Sequence, residues 1–248
     1  MRLWFYAFFM AWGMFLAIPC PFKKWDENAR GRMIVFLPVI GVIVGGIWAL
    51  AVWVLGLISC PAPLYALIIA AIPWLLTGFI HLDGFMDVSD AVLSRRAIEE
   101  RRRILKDPHC GAFAVISMVL LGIASFASAS VRTLEKADLL PLALIPVASR
   151  ASAGIAVTLL KPMPGSQYSS MKTNKLLVIP LIVFALAAIA VPIVFFGFGG
   201  IAPAAVTAGY WLFALFAYSQ LGGMSGDVSG YALTISELIG LLVLMLVK

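Results

Sequence analysis

Apolar residues run through this chain in long unbroken stretches, separated by short connectors rich in arginine, lysine, glycine or aspartate. The stretches do not alternate with period two, so they do not read as the strands of a membrane β-barrel. Several reach about 18–20 residues, the length a helix needs to cross a hydrocarbon core of about 30 Å. Within lipid the backbone must satisfy its own hydrogen bonds, which makes helices the expected form. The pattern puts spans near 3–19, 34–57, 62–80, 112–131, 139–160, 176–196, 200–219 and 231–247. Pro19 and Pro21 close the first stretch, which is also compatible with a re-entrant or interfacial segment. That stretch has almost no basic lead and no small-x-small cleavage site, so it is expected to be retained rather than removed as a signal peptide. No repeat and no soluble domain stand out. The expected fold is all-α: a polytopic helical integral membrane protein with seven to eight transmembrane helices. It forms a single domain over 1–248 with a cytoplasmic loop at 81–108.

Composition agrees. Of 248 residues, 62% are hydrophobic and 12% charged, against about 25% charged in a soluble domain. The net charge of +6 has a topological reading, because basic residues in short loops collect on the cytoplasmic side. Lys23, Lys24, Arg30 and Arg32 follow the first stretch. Arg95, Arg96, Arg101, Arg102, Arg103 and Lys106 follow the third, and Lys161, Lys172 and Lys175 the fifth. That is 13 of the 18 basic residues, against Arg2, Arg132, Lys136 and Lys248 on the other side and Arg150 within a span. The charge is therefore no argument for nucleic-acid binding. Cys20, Cys60 and Cys110 are scattered, odd in number and without CxxC spacing, which reads as free thiols.

Two acidic segments then fall on the cytoplasmic side: "HLDGFMDVSD" at 81–90 and "GGMSGDVSG" at 222–230. If the third span continues as helix through residue 90, Asp83, Asp87 and Asp90 share one narrow face. Three carboxylates there repel one another unless a cation sits among them. Mg²⁺ takes one or two carboxylates together with waters and substrate phosphates, and Asp227 is positioned to complete such a site. The alternative is a solvated helix end. Gly222, Gly223, Gly226 and Gly230 let a backbone approach and cradle phosphate, or simply make a connector.

"LSRRAIEERRRILKD" reads as an amphipathic cytoplasmic helix in which Glu99 or Glu100 pairs with Arg103. It serves either anionic lipid or a polyphosphate substrate. His81 is a candidate general base beside the acids, or an interfacial hydrogen-bonder; His109 is a weaker candidate. Arg150 and Glu237 lie within spans, where charges line a polar cavity or pair with each other. A cation, a phosphate cradle and a basic clamp point together to phosphoryl or phosphodiester transfer.

These residues resemble a family. "HLDGFMDVSDA" at 81–91, "ILKDPHCGAF" at 104–113, "SR" at 149–150, "GGMSGDVSGYALTISEL" at 222–238 and the early "GRMIVFLPVIGVIVG" are similar to cobalamin synthase, adenosylcobinamide-GDP ribazoletransferase. The resemblance implies a Mg²⁺ enzyme of a prokaryotic inner, cytoplasmic membrane with its active site facing the cytoplasm. It would join adenosylcobinamide-GDP to α-ribazole or its 5′-phosphate and release GMP. It implies Asp83, Asp87, Asp90 and Asp227 as the metal and pyrophosphate site, with Arg101, Lys106, Asp107 and Arg150 as substrate contacts. The lipid bilayer is a partner, nucleic acid is not, and a homo-oligomer is compatible. The chain departs from the family pattern at Pro108, Ala114 and Thr234 and in the short "VLS" after the acids; none of these is a proposed metal ligand. Two rival readings are a CDP-alcohol-type phosphotransferase, whose Ala-Arg pair is missing here, and a cation-coupled transporter, which would put its acids near the midplane.

Overall fold

A computed structural model describes residues 2–169 and 175–247. The helices are α1 (Arg2–Phe15), α2 (Arg30–Met33), α3 (Leu37–Leu57), α4 (Ala62–Leu76), α5 (Ile80–Leu93) and α6 (Ile98–Ile104). There follow α7 (Ala112–Ala129), α8 (Leu139–Leu159), α9 (Val178–Phe196), α10 (Ala202–Leu221) and α11 (Gly226–Leu246). The only β feature among the described residues is an isolated parallel bridge between Pro162 and Met224.

α8 is the centre of the bundle: Leu142, Ile145, Ala148, Ser149, Arg150 and Ala151 along it are almost wholly buried. α3, α9, α10 and α11 pack around it. Gly41 and Gly45 of α3 lie directly against its backbone at Pro146 and Ala143, the close approach that small residues give membrane helices. α7 and α9 are peripheral and turn Val119, Leu120, Ile123, Val183, Leu186 and Val194 outward. Polar groups inside and aliphatic groups outside are what a lipid solvent selects.

Five helical stretches among the described residues are long and apolar enough to cross a membrane: 27–57, 112–129, 136–159, 175–200 and 226–246. A sixth is the bent pair α4–α5 if it counts as one span. Hydropathy alone suggested seven or eight. α1 has only 14 residues, about 21 Å of helix, and α10 is helical over 20 residues but diluted by Thr, Gly, Tyr, Ser and Gln.

The stretch expected as one span at 62–80 is broken. α4 stops at Leu76, the chain turns through 92° with Gly78 and Phe79 at φ 58° and 64°, and α5 leaves as a new helix. The segment expected as a loop at 81–108 is largely α5 and α6, and Gly226–Gly230 form the first turns of α11 rather than a loop.

Candidate active site

α5 is continuous from Ile80 to Leu93, so Asp83, Asp87 and Asp90 do share a face, as the i, i+4, i+7 spacing requires. The break at 77–79 carries that face across the N-terminus of α11. There the two backbones nearly touch: a Cβ at Gly84 would stand 2.9 Å from the Asp227 Cα and 3.0 Å from its carbonyl oxygen. One at Gly230 would stand 3.0 Å from the His81 carbonyl oxygen. Glycine at both positions permits this approach, and it brings Asp227 to the acidic face. The Asp87 carboxylate lies in the field of Asp83, then of Asp227 and Asp90.

Asp227 occupies the first turn of α11, where helix N-termini favour negative charge. Ser225 caps that turn by accepting from the Val228 N–H at 3.2 Å and gives its hydroxyl to Asp227 Oδ2 at 3.3 Å. Asp90 is covered by the start of α7: a Cβ at Gly111 would overlap its carboxylate. None of the ion pairs among the described residues includes any of the four acids. Among those residues no three His, Cys, Asp or Glu side chains stand close enough together to hold a metal ion by themselves. Mg²⁺ needs no such cage, since it keeps several waters and takes phosphate oxygens along with one or two carboxylates. Four unpaired carboxylates on two adjoining elements fit that donor set.

The basic connectors gather at this same end. Arg102 Nε donates to the Leu221 carbonyl at 2.7 Å and its Nη2 to the Gly222 carbonyl at 3.2 Å. Arg101 donates to Gln220 through both its side-chain and backbone oxygens. The two arginines thus cap the C-terminus of α10, where cations are favoured, and fix the turn that Gly222 makes at φ 69°. Gly223 sits against Met163, and paired backbone bonds, Met163 N to Met224 O and Met224 N to Lys161 O, both 2.9 Å, tie the turn to the segment after α8.

That segment lies over the start of α11. Gln167 and the Tyr168 hydroxyl cover Gly226, and Arg30 Nη2 holds the Gln167 carbonyl at 2.8 Å. Burial pushes the Tyr168 phenol up to about 12, so it remains a proton donor. Lys106 reaches Gly165 of the same segment. Asp107 is exposed and accepts from His109 N at 2.9 Å and Nδ1 at 2.7 Å; these bonds hold it below the usual carboxylate range. Glu100, rather than Glu99, meets Arg96 and Arg103, both at 3.9 Å. Lys172 and Lys248 lie outside the described residues.

The comparisons with known proteins cover the whole of this arrangement. Residues 7–245 match the model of a family described as cobalamin-5-phosphate synthase. The chain belongs to the cobalamin-5-phosphate synthase family. A relative from Clostridium perfringens (strain 13), named adenosylcobinamide-GDP ribazoletransferase, is 38% identical over 98% of this chain and 99% of its own length. A relative of the same name from Clostridium botulinum (strain Alaska E43) is 36% identical over 97% of each chain. One in Pseudomonas fluorescens (strain Pf0-1) is 33% identical over 84% of this chain and 85% of its own. No solved structure matches. Membership replaces both rival readings and makes the chain a transferase of cobalamin synthesis.

Within this cobalamin-5-phosphate synthase fold, three candidates sit away from the acids. Arg150 Nη1 meets Glu237 Oε1 at 2.6 Å with the side chains 1% and 8% exposed, and Ser149 Oγ donates to the same oxygen at 2.8 Å. Of the readings open for this pair, the structure shows mutual pairing, which joins α8 to α11. His81 is on the far side of α5: at about 100° per residue it falls nearly opposite Asp83 and Asp90 and about a third of a turn from Asp87. Its ring stacks on Phe15 at 6.0 Å and 13°, and its Nε2 has no partner. A base role beside the carboxylates is not what this geometry offers, because a two-residue step points the side chains apart. Thr234, one of the departures from the family pattern, donates to the His81 carbonyl at 3.1 Å. Residues that sequence reasoning passed over are Arg30, Gln167, Tyr168, Gly84 and Gly111. For Gly84 the signal was present, a glycine between two acids on one helix; for Tyr168 there was none.

Proposed function

We propose that this chain is the Mg²⁺-dependent enzyme of the cytoplasmic face of a prokaryotic inner membrane that joins adenosylcobinamide-GDP to α-ribazole or its 5′-phosphate. The observation that supports it is the placing of Asp83, Asp87 and Asp90 on one face of α5 beside Asp227, with none of the four in an ion pair among the described residues, in a chain of this family. A ribose hydroxyl of the acceptor attacks the phosphorus on the cobinamide side. The new P–O bond forms as the anhydride bond to GMP breaks, and the hydroxyl proton passes to one of the carboxylates. Bound Mg²⁺ would neutralise charge on the pyrophosphate oxygens, held by carboxylates of α5 and by Asp227.

The chain's own groups do the rest. Arg101 and Arg102 fix the turn at Gly222–Gly223 that opens toward the acids. The Tyr168 hydroxyl and the Gln167 amide lie against Gly226, next to Asp227, and would supply donors for phosphate oxygens. Lys106 and Asp107 border the same side as candidate substrate contacts. Protein in phospholipid vesicles, given adenosylcobinamide-GDP, Mg²⁺ and either α-ribazole or its 5′-phosphate, is expected to release GMP and form a cobalamin product on chromatography, and to stop when the cation is chelated. GMP release that continues undiminished in chelator would overturn the cation role; no product with either acceptor would overturn the reaction.

A further inference from the structure

We propose that α1 and the chain that folds back along it form a binding site for one anionic phospholipid, separate from the carboxylates. α1 is too short to span. The chain after it returns alongside: Trp12 Nε1 donates to the Ile18 carbonyl at 3.0 Å, and the Phe22 ring lies parallel to Tyr6 at 5.6 Å. Between the two strands of chain is a cavity of about 560 Å³, within the size range of small-molecule sites. Its walls are apolar, with Phe9, Met10, Met14 and Ile18 among them, and Gly13 leaves one side open. A Cβ at Gly13 would meet only Cys20, at 3.8 Å.

Lys23, Lys24 and Trp25 border this cavity and are exposed. The acids next in sequence are already engaged. Asp26 accepts from the Asn28 N–H, and Glu27 takes Trp25 Nε1 at 2.6 Å and Arg30 at 3.5 Å. Neither lysine enters an ion pair among the described residues, and Lys24 rests over the Tyr6 ring at 5.3 Å. An apolar cleft with two unpaired ammonium groups and a tryptophan at its rim has the chemistry of a lipid: a tail for the walls, a phosphate for the lysines, an indole at headgroup depth. In a bilayer a cleft of this kind is filled by a tail, because leaving it to water would keep its apolar walls hydrated.

The site also adjoins the break that aims the acidic helix. Ala17 N donates to the Leu76 carbonyl at 2.8 Å, and Phe15 stacks on His81, so the bound lipid braces the floor of the bend. The test is native mass spectrometry on delipidated protein titrated with phosphatidylglycerol or with phosphatidylcholine of the same chains. Wild type is expected to retain one phosphatidylglycerol per chain in preference to phosphatidylcholine. Lys23→Gln with Lys24→Gln is expected to weaken phosphatidylglycerol retention roughly 30-fold, the summed attraction of two lysines for an anionic headgroup. Gly13→Phe, which fills the cleft, is expected to lose both lipids. Equal retention of the two lipids by wild type, or undiminished phosphatidylglycerol retention by the lysine variant, would overturn the proposal. Both lysines lie outside every helix and are exposed, so the lysine variant is decisive even if Gly13→Phe fails to insert.

Discussion

The two ends of the bundle treat their acids in opposite ways. At one end Asp138 meets Arg132 through two bonds of 2.6 and 2.8 Å. The same arginine caps the last carbonyls of α11, at Leu244 with 2.9 Å and Met245 with 3.3 Å. At the other end, four aspartates on α5 and α11 meet no cationic side chain among the described residues, although arginines are plentiful nearby. Those arginines are turned to the backbone of α10 instead. An acid that fixes the fold is paired within the chain. Acids left without a cationic partner repel one another, a cost that a bound cation would offset, and this is the ground on which they are proposed as a site.

The strongest test of that contrast is Asp87→Asn or Asp227→Asn. Each is expected to lower turnover about 10³-fold, the scale of losing one aimed electrostatic group in a phosphoryl-transfer site. Melting in chelator should stay equal or rise, because one repelling charge is gone. Wild-type turnover in either variant would remove that residue from the site. Next is Arg150→Met, expected to destabilise by roughly 3 kcal/mol or more because Glu237 is left buried and unpaired. Adding Glu237→Leu should recover much of that loss in denaturant melts. A stable double variant with no activity would instead give the pair a part in catalysis.

Gly84→Ala should force α5 off α11. Overpacking of this kind costs about 1–3 kcal/mol, and turnover should fall with it while Arg132→Gln at the opposite end lowers stability alone. The smallest effect belongs to Arg96→Gln, an exposed arginine 3.9 Å from Glu100, worth less than about 1 kcal/mol. Arg101→Gln should do distinctly more, through the turn it caps. Equal turnover losses at 96 and 101 would mean that the basic helix acts as a summed charge.

Much of the geometry of the candidate site was legible in the sequence because helical spacing is rigid. Asp83, Asp87 and Asp90 had to share a face once α5 was a helix, and charge bias in the connectors put Asp227 at the same end. The break in the third span was not to be had from hydropathy, which reads Gly78 and Phe79 as merely apolar and does not register two residues at positive φ. Which of the open readings applied to His81 and to Glu237 was not legible for a related reason: closeness along the chain or within a span says nothing about which side of a helix a group faces.

By itself the sequence determined a helical membrane protein, the family, and a set of carboxylates on one helix face, because these depend on composition, period and local spacing. Only the tertiary structure decided which groups meet. It set Gly84 against Asp227, Arg150 against Glu237, Tyr168 over the start of α11 and a lipid-sized cleft behind α1. Each of these is a contact between segments distant in sequence or folded back on one another, fixed by how closely two backbones pack, and no local pattern of residue types encodes that distance.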